Sequence, residues 1–186
     1  MGMSAQDKML NVASRLGLTT LKDMQGTTRV VYDSQTTAAL THTFFKGAAQ
    51  RAFPLSNVGA NGNQFQVNEA LLVEKVGFFV PANAEGADYN GLGFAGLSVK
   101  FDLVIGNKTV IKDASVELGG EQAFYNDGTA ASSVIDLEGV GILIPPQVEY
   151  YVVAKAYNSA TRVASSTRLG VYLFGTGALL NFNTTI

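Results

Sequence analysis

Residues 97–105 read LSVKFDLVI, with Leu97, Val99, Phe101, Leu103 and Ile105 alternating against Ser98, Lys100, Asp102 and Val104. A period of two sends the first set to one face of a strand and the second to the other, so this segment belongs to a sheet with one buried face. Gly106-Asn107 follows, then KTVIKDASVEL (108–118), where Val110, Ala114 and Val116 share a side with the charged Lys112. Two residues of that kind between strand-like runs predict a tight hairpin. Nothing between consecutive strand-like segments has the length and period of a crossover helix. A doubly wound α/β fold is thereby excluded, and the chain is expected to be all-β: an antiparallel β-sandwich or jelly roll of about eight strands.

The other segments from Phe65 onward fit that expectation. QFQVNEALLVEKVGFFVP runs into Pro81 and a Gly/Asn-rich loop, and VIDLEGVGILI ends at Pro145-Pro146. Proline cannot donate to a ladder, so the pair marks an edge or a corner between sheets. Beyond it, Val148, Tyr150, Val152, Ala154 and Ala156 face one way and Glu149, Tyr151, Val153, Lys155 and Tyr157 the other. Both faces are largely apolar or aromatic, so this strand is expected to be covered on both sides or to form an interface. STRLGVYLFGTGALLNF supplies one or two final strands, broken around Gly175-Thr176-Gly177. No internal repeat of constant length is present.

The first part of the chain differs in charge and pattern. Residues 1–51 hold six basic against three acidic side chains, +3 in a chain whose net charge is −2. Gln6 to Leu18 reads as a short helix with Met9, Leu10, Val12, Ala13 and Leu16 in an apolar stripe and Gly17 near its end. Such a helix is marginal alone and needs a sheet or another subunit to lie on. TTRVVYDSQTTAALTHTFFKG then reads as one or two extended segments, and Asn57 to Asn63, NVGANGN, as a turn-rich join. The expected division is an N-terminal arm (1–63) with a short helix and extended segments, and a β-sandwich body (64–186).

The inventory for chemistry is thin. The absence of cysteine removes disulfides, thiolate nucleophiles and cysteine-ligated metals. The single histidine, His42, stands in a strand-like alternation and reads as a structural or surface residue rather than a base. Asp136 and Glu138 share one strand face, with Glu74 and Glu149 elsewhere, and a sandwich hydrolase would need two such acids. Acids on the wet face of a strand more often guard sheets against mispairing. The turns Asp88-Tyr89-Asn90-Gly91 and Asn126-Asp127-Gly128-Thr129 offer oxygen ligands without the spacing of a calcium loop. Gly91, Gly93 and Gly96 precede a strand, whereas a dinucleotide fingerprint opens a helix. No cofactor, metal or catalytic residue is expected. Tyr89, Tyr125, Tyr150, Tyr151, Tyr157 and Tyr172 offer a sugar-binding platform or a protein interface. No apolar run is long enough for a membrane-spanning helix, and the amino terminus lacks the pattern of a signal peptide.

Charged residues make up 15% of the chain, against roughly a quarter in an ordinary domain. A surface that neutral suits a subunit burying much of its outside against neighbours. The polar arm, the neutral β-rich body, the proline corner in ILIPPQVEYYV and the terminus GVYLFGTGALLNF together resemble the jelly-roll structural proteins of bacteriophage and other viral particles, across roughly Phe65 to Phe182. The resemblance implies a non-enzymatic virion protein that self-assembles in a capsid or decorates it. Its partners would be copies of itself and other virion proteins, with at most weak or indirect nucleic-acid contact through the dispersed charges of the arm. Met9, Leu16, Phe44, Phe45, Tyr150, Tyr151 and Tyr157 are the interface candidates. The alternatives are a carbohydrate-binding β-sandwich and a two-acid hydrolase.

Overall fold

The computed structural model describes residues 4–18, 24–47, 55–58, 63–80, 97–118, 123–126, 131–137, 141–158 and 161–180. Within them lie one helix, α1 (Ala5–Arg15), and ten strands: β1 (Met24–Ala39), β2 (Thr41–Phe44), β3 (Glu69–Phe79), β4 (Leu97–Ile105), β5 (Lys108–Leu118), β6 (Ala123–Asn126), β7 (Ala131–Asp136), β8 (Ile142–Ile144), β9 (Tyr150–Asn158) and β10 (Thr167–Leu180).

One sheet has the order β1-β10-β3-β7-β6, with β8 also on β3; the other has the order β2-β9-β4-β5. The pairings are antiparallel. β7 and β8 share one position, because they pair with successive stretches of β3, Lys75–Phe79 and Leu71–Val73. The chain therefore alternates between sheets in the manner of a jelly roll, with β6 added at an edge. The proline corner behaves as expected: β8 lies in the first sheet, β9 in the second, and Pro145-Pro146 between them. Gln147, at φ 57°, donates its backbone N–H to the Phe65 carbonyl there.

The expected alternation holds in β4, where Val99, Phe101 and Leu103 are buried, and in β9, where Tyr150, Val152, Ala154 and Ala156 are buried. In β5 it is broken. Phe101 faces Ala114 and Leu103 faces Ile111, so Lys112 and Asp113 together oppose Asp102 as a bulge. Asp113 adopts φ 53° and donates its N–H to the Asp102 carboxylate at 2.7 Å. Lys112 and the 43% exposed Val110 thus face solvent, while Val116 and Leu118 enter the core. The same device flips parity in β3, where the register shifts between Phe174 and Gly175 of β10 opposite Lys75 and Val73. Leu71 and Val73 point inward before the bulge, and Val76 and Phe78 after it.

The segment expected to form an arm supplies two sandwich strands. β1 pairs with β10 from Met24↔Leu180 to Ala39↔Thr167, and β2 pairs with β9. Their inward residues, Val31 and Phe44, join the main core, as does Phe45 just after β2. Asp33 is fully buried, and its carboxylate accepts the Phe45 N–H at 2.7 Å, fixing the turn in which Phe45 sits at φ 69°. His42 is also fully buried. Its Nδ1 lies 3.0 Å from Gln35 Oε1 and its Nε2 2.9 Å from the Thr167 carbonyl, so it ties β2 to β1 and β10 across the sheets, with its ring stacked on Phe44.

Candidate interaction surface

α1 begins in a capping box: the Ser4 side chain accepts the Asp7 N–H, and the Asp7 carboxylate accepts the Ser4 N–H. It ends as Gly17 takes φ 72° and Leu18 N–H reaches the Ala13 carbonyl. Between the caps, Val12 is fully buried among Ala70, Leu72 and Ala178, with Met9, Leu16, Met24, Leu143 and Leu180 packed around them. Small side chains on the sheet let the helix approach closely, and Met9 lies over Gly26 of β1. Two basic residues fasten it: Lys8 to Glu74 at 2.6 Å and Arg15 to the Gly141 carbonyl at 2.9 Å. Glu74 also accepts the Thr176 hydroxyl at 2.6 Å.

That helix covers one end of the outer face of the first sheet. The other end carries Val30, Tyr32, Phe79, Tyr172 and Phe174 on neighbouring strands. Tyr32 faces Tyr172, Tyr172 faces Gly77, Phe79 faces Gly170, and Val30 faces Phe174. The glycines are required here. A Cβ on Gly77 would overlap the Tyr172 ring and one on Gly170 the Phe79 ring, so each aromatic lies flat over its cross-strand glycine. Tyr32, Phe79, Tyr172 and Phe174 are half-buried, and Val30 is 40% exposed. Burial raises the Tyr172 phenol above its ordinary pKa. Sequence reading missed most of this patch, because the β3 bulge decides that Phe79 points outward and Phe78 inward. Tyr-Leu-Phe in β10 was the available signal.

The outer face of the second sheet is different. A shallow depression there is lined by Lys100, Asp102, Asp113, Val153, Lys155 and Tyr157. Lys100 and Lys155 are direct cross-strand neighbours, an unfavourable like-charge pair relieved by the Lys100–Asp113 bridge at 2.8 Å. The hydrogen bond with Lys100 lowers the Asp113 pKa and raises that of Lys100.

The interface candidates separate into three groups. Met9 and Leu16 pack α1 onto its own sheet. Phe44, Phe45 and Tyr150 are in the interior, at 0%, 0% and 1% exposure, where the Tyr150 ring lies between Phe45 and Phe65 and burial drives its phenol pKa strongly up. Their bulk fills the sandwich, so they present nothing to a neighbour. Tyr151 and Tyr157 are half-buried on the outer face of the second sheet, Tyr151 with the Lys46 ammonium 5.5 Å from its ring. Among the described residues the candidate tyrosines are dispersed: Tyr150 lies in the core, Tyr172 on the outer face of the first sheet, and Tyr151 and Tyr157 on that of the second. Nor are the described acids paired for catalysis: Glu74 holds Lys8, Asp136 holds Lys75 at 3.1 Å, and Glu149 is exposed. Glu138, Tyr89, the cation-loop residues 88–91 and 127–129, and Gly91, Gly93 and Gly96 lie outside the described residues, as does the side chain of Tyr125. Among the described residues no cluster of three metal-ligating side chains occurs, and no helix is long and apolar enough to cross a membrane.

No family model matches the sequence, and no curated protein matches it. Among solved structures the chain is similar to that of Desmodium yellow mottle tymovirus (TM-score 0.39, 11% identity, 84% of this chain and 87% of that one). It is similar also to that of turnip yellow mosaic virus (0.39, 9%, 84% and 93%) and to the tobacco streak virus coat protein (0.31, 12%, 87% and 90%). These are plant viruses, so the bacteriophage part of the sequence-based resemblance finds no counterpart among them.

Proposed function

We propose that this chain is a non-enzymatic structural subunit of a virion, working by assembly with copies of itself and other virion proteins. The observation that carries the reading is the outer face of the first sheet. Four half-buried aromatic side chains and the exposed Val30, on adjacent strands, stand at one end of that face while a helix covers the other. Patches of this kind mark interaction sites, and tyrosine and phenylalanine contribute area at small entropic cost. A jelly roll alone says nothing of function, since the same architecture carries lectins and cupins. Sedimentation velocity and negative-stain imaging across a concentration series test the reading. Rings, small oligomers or shells are expected, and a monomer at every concentration overturns it.

A second reading, glycan binding, is favoured by one observation: Tyr157 flanks a depression rich in paired hydrogen-bonding groups, Lys100, Asp102, Asp113 and Lys155. It requires a glycan-array signal that Tyr157→Ala abolishes in a chain that does not assemble.

A further inference from the structure

Edges of sheets are where chains of this class can be joined by backbone pairing, and the edges here are unequal. β5 is guarded by two register breaks and by Lys108, Lys112, Asp113 and Glu117; β2 and β6 are four residues each. β1 is sixteen residues long and pairs regularly with β10 from Met24 to Gln35. Along its later half, residues 55–58 close the free edge. Ser34 N–H donates to the Leu55 carbonyl at 2.8 Å and Asn57 N–H to the Tyr32 carbonyl at 3.2 Å. The Asn57 amide then stands in for one more strand residue, accepting the Tyr32 N–H at 2.7 Å and donating to the Val30 carbonyl at 2.8 Å.

Those contacts fix which residues aim their backbone groups outward: the even-numbered ones. By the two-residue period Met24, Gly26 and Thr28 do the same, and among the described residues no further segment covers that edge. The Gly26 carbonyl takes only the amide of its neighbour Gln25, at 3.0 Å, and that of Thr28 a long 3.4 Å contact from Thr27, among the described residues. The segment is also without charge. Arg29, the nearest cation, is turned to Glu69 at 3.2 Å and lies over the Phe65 ring.

We infer that the β1 edge from Met24 to Thr28 pairs antiparallel with the same edge of a second copy. The inference deepens the assembly reading and rests on it. A second copy is the occupant because an uncharged strand meets its own image without like-charge cost, and a twofold axis closes the contact on itself. Centring the axis on Gly26 sets Gly26 against Gly26 and Met24 against Thr28, leaves the Asn57 cap in place, and gives about six backbone hydrogen bonds. Gln25 and Thr27, both exposed, then form non-hydrogen-bonded pairs at about 4.5 Å between Cα atoms, within disulfide reach.

The chain's lack of cysteine makes this directly testable. Gln25→Cys and Thr27→Cys chains, mixed and gently oxidised, should give a covalent dimer that neither gives alone. Thr28→Pro, which removes an outward N–H from an edge strand, should keep the far-UV spectrum and cooperative melt while weakening self-association at least tenfold in sedimentation velocity. If the wild-type chain assembles but the mixture yields no covalent dimer and Thr28→Pro assembles unchanged, this inference falls and the assembly reading stands. If the wild-type chain is monomeric throughout, both fall and the edge belongs to another partner.

Discussion

His42 is the residue whose role depends most on what surrounds it. In sequence it stands between threonines and reads as a structural or surface residue, while the fold encloses it completely between Gln35, Phe44 and the Thr167 carbonyl. Burial lowers its pKa below the ordinary 6.5, with the Thr167 and Ala39 carbonyls pulling in the opposite direction. A depressed histidine is protonated first in the unfolded chain. The stability it contributes is therefore present above 6.5 and lost as pH falls toward the folded-state value. Denaturant midpoints between pH 7.5 and 5 should fall more steeply for the wild-type chain than for His42→Gln, which keeps a hydrogen-bonding side chain without a titration in that range. Equal slopes would mean that the imidazole remains solvated. The sequence could not reveal this, because the hydrogen-bond partners come from residues 7 and 125 positions away, and only the pairing of two sheets brings them to one ring.

At the level of elements, the legible parts were those whose signal is local. The β4–β5 hairpin follows from alternation and Gly106-Asn107, the sheet-to-sheet corner from Pro145-Pro146, and α1 from its stripe and Gly17. What escaped were the bulges at Asp113 and at Glu74–Lys75. A bulge is a decision between two strands, so no single strand announces it, yet it determines which residues reach the surface. The α1 stripe was legible, but its dock was not: Ala70 and Leu72 are ordinary strand residues whose facing the β3 bulge decides, and only the pairing of β3 with β10 sets Ala178 beside them. Helix docking can be tested alone. Val12→Asp buries an unpaired charge where Val12 is wholly covered, so α1 should detach while the sandwich remains folded. Trypsin should then cut after Lys8 and Arg15 at least about tenfold faster than in the wild-type chain, with little change in the near-UV signal of the core Tyr150 and its phenylalanine neighbours. Unchanged cleavage would show that the helix is held mainly by its Lys8 and Arg15 anchors.

For the molecule as a whole, the issue is where the body begins. Charge and turn composition placed a join near residues 57–63, but residues 24–44 contribute two paired strands and part of the main core. Two truncations separate these contributions. Removing residues 1–23 takes away α1, whose covered apolar side chains account for about 2–5 kcal/mol of burial. That is a sizeable part of the 5–15 kcal/mol usual for a domain but less than most of it. The shortened chain should still melt cooperatively at a lower temperature, with the uncovered Leu72, Ala178 and Leu180 surface binding more hydrophobic dye. Removing residues 1–40 strips β1 from β10, leaving the long β10 edge of the first sheet unpaired, exposing the core beside Val31, and deleting the Asp33 carboxylate that holds Phe45. No cooperative transition should survive. If the longer truncation melted like the shorter one, β1 would be an appendage, and its edge would join copies by exchanging the whole strand rather than by pairing along it.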